Sequence, residues 1–365
     1  MGPRKIPELD GLRGLAVLLV LGRHAGREYA NHLPGDAPTW LHPLLNGWMG
    51  VDLFFVLSGF LIGTNVLRLL ADLSKATSSV FVHGGRYLAR RGLRIVPAYY
   101  TVLLLVAAGL VPFYHYNRTG IGVSLGYHLL FLQDYLPSNI VIAFWSLGVE
   151  EKFYLTVPFV LLAIRRLPER FWTAAALSVS LASPLLRWLT WRQHPEIHTY
   201  GAFFDHLRSP FHLAADGLAV GLAIAIWRGR GGELGGRARA GVLVASSLVL
   251  AALLAQPFLL HPVTLYNVVP LFSVLALAFG AIVLATVSGP TFASPLLASA
   301  PLRRVGDLSY ALYLVHMLFL TLAWSVAGDD GFFAFLGTFL AMSTVAAVAL
   351  HVLVERPFLR LKARI

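Results

Sequence analysis

Apolar residues run in stretches of roughly 20 along almost the whole chain, separated by short polar or basic segments. Such a stretch, wound as an α-helix, crosses the hydrocarbon core of a bilayer. The pattern predicts an all-α polytopic transmembrane bundle with about ten spans, near 8–29, 48–69, 94–112, 142–164, 171–189, 210–227, 240–258, 265–287, 306–327 and 331–353. The alternation of an outer-membrane barrel is absent. One run, 121–135, is apolar but short. Counting it as a span would turn the later basic loops outward, so it is assigned to a re-entrant or interfacial segment on the outer side. The start of the chain is basic and then apolar, as in a signal peptide. Arg23 and His24 follow at once without a small-residue cleavage site, so the first segment is read as retained. No repeat, linker or soluble part interrupts the pattern, and residues 1–365 are read as a single membrane domain.

Composition agrees. The chain is 57% hydrophobic and 13% charged, against about 25% charged in a soluble domain. It has no cysteine, which excludes disulfides, thiolate metal sites and a cysteine nucleophile. No metal site is expected. The net charge of +11 first has to be set against topology. With both termini cytoplasmic, 22 of the 29 Lys and Arg fall on inner segments. Orientation then explains most of the basic charge, and no nucleic-acid partner is implied. The glycine-rich stretch 229–239 is read as a flexible inner loop, because it lacks the strand–turn–helix setting of a phosphate-binding loop.

Charged groups inside the spans need a reason, because hydrocarbon does not solvate them. Arg13 and His24 are eleven residues apart in the first span. That is about three turns, so they share a face, separated by ~16 Å along the axis. A fixed cation at the inner mouth and a titratable imidazole deeper in suit an elongated, phosphate-bearing substrate. The alternative is a snorkelling anchor and a packing histidine. Asp52, early in the second span, is placed to orient a histidine or pair with an arginine; Ser58 and Gly59 beside it suit close helix packing. Arg86, Arg90 and Arg94 recur every fourth residue with Arg91 alongside, a cluster that either binds phosphates or sets topology. Ser146, Glu150 and Tyr154 form a polar stripe on the fourth span. Glu150 is expected to face the interior with an arginine or histidine partner, while Glu151 and Lys152 are expected to point elsewhere and to snorkel. His212 and Asp216 have i, i+4 spacing for a hydrogen-bonded pair, and Ser309 and His316 stand one heptad apart near Tyr313. Helix packing is the simpler role for these last four.

Taken in order, "ELDGLRGLAVLLVLGRHA", "GVDLFFVLSGFLIG", "RYLARRGLRIVPAYY", "FWSLGVEEKFYLTVP" and "GDLSYALYLVHM" resemble the motifs of the bacterial acyltransferase-3 family of integral membrane acyltransferases. The resemblance runs from residue 6 to about 358 and takes the form without an appended extracytoplasmic hydrolase-like domain. It implies a multi-pass protein of the bacterial cytoplasmic membrane that moves an acyl group, most often acetyl, from acyl-CoA to a hydroxyl of a carbohydrate or glycolipid acceptor. No permanently bound cofactor is implied. Arg13 and His24 match the family's basic residue and histidine; Arg91 and Arg94 match its R-x-x-R; Glu150 matches its acidic position. By this resemblance His24, supported by Glu150, carries the chemistry as base or as transient acyl carrier. Arg13, Arg91 and Arg94 hold the coenzyme phosphates, and Asp52, Ser146, Tyr154 and His316 serve as substrate or support residues. The sequence departs from the family at Arg23, where an apolar or small residue is usual, and at His212. A transporter of a small anionic or sugar substrate is the rival reading. It would favour inverted repeats and broken helices in both halves, which the sequence does not show.

The basic asymmetry predicts where loops lie. Reporter fusions after residue 365 and near residue 235 should both read cytoplasmic. A periplasmic signal from either would break the ten-span scheme.

Overall fold

The computed structural model describes residues 6–75, 80–136 and 140–364; Arg4 and Lys5 lie outside them. The described residues form helices and connecting turns, with no strand. The long helices are α1 (Pro7–Asn31), α2 (Gly50–Lys75), α3 (Val80–Ala107), the short α4 (Ile121–Leu129), α5 (Trp145–Ile164), α6 (Glu169–Gln193), α7 (Asp216–Gly229), α8 (Gly236–Leu254), α9 (Pro270–Val287), α10 (Ala300–Asp307), α11 (Ser309–Val315), α12 (Leu320–Ala327) and α13 (Phe332–Leu350). All ten predicted apolar segments are occupied by helix. Five helical stretches among the described residues are long and apolar enough to cross a membrane: Thr39–Leu73, Gly236–Leu254, Pro270–Val287, Ser309–Ala327 and Phe332–Lys362. The other predicted segments fall short of that in length or in apolar composition.

Helix α1 is the axis. Pro7 starts it, and Glu8 and Asp10 in its first turn favour the positive helix end. It packs against α2, α10, α11, α12 and α13. Glycines allow the closest approaches. A side chain at Gly11 or Gly306 would run into backbone, of Leu297 and Asp10 respectively. Helices α2 and α7 cross just as tightly, Gly59 against the Leu218 carbonyl and Gly221 against Val56 and Phe60. This is small-residue packing, which brings helix backbones together where no hydrophobic effect distinguishes partner from lipid. Two apolar cores result. One gathers residues such as Val20, Tyr99, Phe144, Leu314 and Phe335. The other gathers Leu12, Met49, Val56, Leu271 and Phe272. Helices α1 and α2 contribute to both.

Two predicted spans are broken. In 210–227 a single turn, Phe211–Ala214, precedes α7, which begins at Asp216. Asp216 is held there by Arg187 of α6, Nη1 to Oδ1 at 2.9 Å and Nη2 to Oδ2 at 2.8 Å. The Arg187 Nε donates to the Val268 carbonyl at 2.9 Å, and Ser273 donates to Asp216 at 3.2 Å. In 306–327 the helix gives way to a 3-10 turn, His316–Phe319, between α11 and α12. A tightened turn inside a helix commonly marks a functional position.

The segment 121–135 contains only the nine-residue α4, ~14 Å long, too short to span. Tyr99 and Tyr100 of α3 donate to its carbonyls at His128 and Leu129, at 3.0 and 2.6 Å. The chain after it enters the bundle, where Lys152 donates to the Phe131 carbonyl at 2.6 Å and pairs with Asp134. Gln133 donates to the Phe144 carbonyl at 2.8 Å. Irregular backbone at this depth is tolerated because protein groups satisfy it.

Arg187 is 1% exposed. Removing its partner leaves a buried charge alone, at a cost of about 3–5 kcal/mol. Asp216→Ala should therefore lower the apparent melting temperature of the purified protein by several degrees and reduce the folded yield. Asp205→Ala, in a half-buried carboxylate with no ion pair among the described residues, should do neither.

Candidate active site

Three cavities lie in sequence through the bundle, each sharing residues with the next. The first is an open basic vestibule. Arg68, Arg86, Arg90, Arg91, Arg94 and Lys362 line it, against the single carboxylate of Asp72. The i, i+4 rhythm of α3 brings Arg86, Arg90 and Arg94 there together. Lys362 comes from the far end of the chain, and nothing in its local sequence distinguishes it from a topology charge.

Arg91 and Arg94 also line the second cavity, with Arg13, Ser58, Ser146, Glu150 and Tyr313. The two arginines are not equivalent. Arg91 donates through Nε to Glu151 at 3.1 Å, pairs with Glu150 at 3.5 Å, and lies 3.5 Å above the Tyr154 ring. Tyr87 stacks on Tyr154 in turn, with ring centroids 5.6 Å apart. Among the described residues Arg94 makes no ion pair and Arg13 pairs with no carboxylate but Asp10, at 3.9 Å. The stripe Ser146, Glu150, Tyr154 runs as the spacing implied, with Tyr154 reaching the vestibule. Glu150 has the arginine partner expected of it. Glu151 does not point elsewhere but is the closer partner of Arg91. Lys152 does not snorkel either; it anchors the inserted chain at Asp134.

Val51 and Tyr313 line both the second cavity and the third. Between the two, the Tyr313 hydroxyl donates to the Ala143 carbonyl at 2.7 Å and meets the Ser146 hydroxyl at 2.5 Å. With its proton committed to the carbonyl, the tyrosine oxygen accepts from Ser146. This chain of hydroxyls forms a thin layer between the cavities.

The third cavity is lined by Arg23, His24, Trp48, Trp145, Tyr200 and Arg208, among others. His24 is half-buried, and its ring stands 5.0 Å from that of His316, centroid to centroid. His316 is fully buried in the 3-10 turn. Its Nδ1 lies 2.9 Å from the Tyr313 carbonyl and 3.1 Å from that of Leu312. Both partners are acceptors, so Nδ1 carries the proton and Nε2 is a bare acceptor. That Nε2 is buried without a hydrogen-bond partner among the described residues. No carboxylate hydrogen-bonds to His24 among the described residues. Glu150 lies on the other cavity, and Asp52 is taken by Arg208 at 2.9 Å.

Arg208 is a site residue that sequence reading missed. It ends a π-helical turn, Phe204–Arg208, and its guanidinium sits 4.5 Å from the Phe272 ring. The only signal was an arginine in a segment where topology asks for none. The expected pair of His212 and Asp216 does not form. His212 bonds the Tyr135 hydroxyl at 3.1 Å, and Asp216 belongs to Arg187. No cluster of three or more metal-ligating side chains occurs among the described residues.

The sequence was compared with known proteins. A family model described as "Acyltransferase domain" matches residues 6–354. The acyltransferase MdmB of Streptomyces mycarofaciens is 29% identical, over 100% of this chain and 95% of that protein. The peptidoglycan O-acetyltransferase OatA of Listeria monocytogenes is 28% identical over 88% of this chain, which spans about half, 50%, of that longer protein. The putative peptidoglycan O-acetyltransferase YrhL of Bacillus subtilis is 28% identical over 97% of this chain and 55% of its own length. No solved structure matches.

Proposed function

This chain belongs to the acyltransferase-3 family of multi-pass membrane acyltransferases, and from that premise we propose that it moves an acyl group, acetyl in the first instance, from acyl-CoA to a hydroxyl of a carbohydrate or glycolipid acceptor at the bacterial cytoplasmic membrane. The observation that carries the proposal is the cavity series, with phosphate-binding chemistry at one end and a histidine pair at the other. The vestibule takes the coenzyme phosphates, with Arg94 as the free fork and Lys362, Arg86 and Arg90 around it. Arg91, neutralised by Glu151 and Glu150, gives the vestibule its shape. The pantetheine arm runs along α1 from the second cavity, which Arg13 lines, toward the third, which His24 lines; the two residues stand ~16 Å apart. The names of two relatives, OatA and YrhL, support an O-linked saccharide acceptor.

In this reading His24 is the general base. The acceptor hydroxyl attacks the thioester carbonyl carbon as His24 takes its proton. The tetrahedral intermediate collapses by breaking the C–S bond, and the departing thiolate recovers the proton from His24. One ester and one free thiol result. The layer of Tyr313 and Ser146 must part for the thioester to reach His24. The bare Nε2 of His316 offers the His24 N–H an acceptor, which would leave the other His24 nitrogen free to take a proton.

Two measurements test the reading. His24→Gln keeps a hydrogen-bond donor but takes no proton at neutral pH, so transfer of labelled acetyl from acetyl-CoA should fall about 10²–10⁴-fold while acetyl-CoA still binds. Wild-type activity should also fall as pH is lowered and His24 becomes protonated. A folded, active His24→Gln enzyme would remove the base. At the other end, Arg94→Ala should weaken acetyl-CoA binding about ten-fold or more, the loss of one charge-assisted contact, and Arg94→Lys should restore only part. Unchanged affinity in Arg94→Ala would mean the vestibule does not hold the coenzyme.

A further inference from the structure

The residue before His24 is out of place in every respect but one. Arg23 is 5% exposed. Its guanidinium lies face-on to the Phe258 ring at 4.5 Å, with the Tyr200 ring at 5.8 Å. It has no ion pair among the described residues, and its Nη1 is buried without a hydrogen-bond partner there. The other deep arginines are compensated. Arg208, on the same cavity, has Asp52, and Arg187 has Asp216. Topology offers no reason either, since Arg23 and Arg27 lie at the end of α1 away from the basic vestibule.

Surrounding structure goes to some length to hold Arg23 there. Phe258 lies in the loop between α8 and α9. Asn46 fixes that loop, donating to the Gln256 carbonyl at 2.8 Å and accepting from the Leu259 amide at 3.1 Å. Asn267 fixes its other side, donating to the Leu259 and Pro262 carbonyls at 3.0 and 2.7 Å. Stacking on Phe258 occupies the face of the guanidinium and the Tyr200 hydroxyl takes part of its edge, which leaves Nη1 for another partner. A buried cation with Nη1 unpartnered and no carboxylate is a site waiting for an anion. Arg23 and His24 line the same cavity, so that anion would sit beside the hydroxyl being acylated.

We propose that Arg23 is a specificity-determining residue that binds an oxyanion, phosphate or carboxylate, carried by the acceptor. The assignment rests on the transferase reading above, and it narrows the acceptor class to anionic saccharides such as sugar phosphates or uronates. A free ammonium group on the acceptor would be repelled at this position.

The test uses the full chain in nanodiscs with coenzyme A at saturation, so that the basic vestibule is occupied. Calorimetry compares glucose, glucuronate and glucose 6-phosphate. Wild type should bind at least one anionic sugar ten-fold or more tighter than glucose, and the tighter of the two identifies the oxyanion. Arg23→Gln should bring that sugar to the level of glucose. No anionic preference in wild type, or the same preference in Arg23→Gln, overturns the proposal. Inorganic phosphate binding as tightly as the preferred sugar also overturns it, by showing a free-anion site. Should Arg23→Gln not fold, Arg23→Lys decides. A three-fold or greater loss for the anionic sugar, with glucose unchanged, supports the proposal, and unchanged binding overturns it. Acetyl-CoA turnover is measured separately. Its absence in wild type overturns the reaction, whereas turnover without anionic preference overturns only the role given to Arg23.

Discussion

A charge held where water cannot reach must find another charge, and that requirement organises this bundle. Costs of several kcal/mol per ion make each lone buried arginine expensive. Three carboxylate partnerships answer them. Arg187 with Asp216 joins α6 to α7, Arg208 with Asp52 joins the π-helical turn to α2, and Arg91 with Glu150 and Glu151 joins α3 to α5. Each ties together elements distant in sequence, in a setting where apolar packing discriminates poorly between helix and lipid. The pairs fix which helices are neighbours, and the glycine crossings then set how close they come.

The surplus is as informative as the pairing. Arg94 has no carboxylate among the described residues, nor has Arg23, and the vestibule holds far more cations than anions. Under the proposed function these are the positions where a ligand's charge would complete the arrangement. They stand at opposite ends of the cavity series, one beside a wide opening and one beside His24. A substrate with negative charge at the coenzyme end and an acceptor with negative charge at the other would each be drawn to its own side.

How much of this was legible in the sequence follows from what each feature depends on. Segment positions and helical identity depend on composition within a window, and each predicted segment is occupied by helix. The stripe of Ser146, Glu150 and Tyr154 depends only on helical period, and it stands as spaced. Partner choice depends on which helices touch, and there local spacing misled. His212 and Asp216 have the interval for a pair, but each bonds to another helix or loop instead. Glu151 and Lys152 looked like lipid-facing charges, because one period cannot tell a solvent face from a second protein interface. Arg208 and Lys362 were invisible as site residues, since their roles arise only when distant segments meet. The breaks at Ala215 and at His316–Phe319 were equally hidden; neither carries a proline or glycine at the break itself.

The hydroxyl layer of Tyr313 and Ser146 has a consequence for the cell as well as for the reaction. Val51 and Tyr313 are the residues the second and third cavities share, so the tyrosine ring and its grip on the Ala143 carbonyl are what parts one from the other. An enzyme working through that layer has to let a flat thioester slip past without leaving a continuous thread of water, or the ion gradient across the membrane would leak.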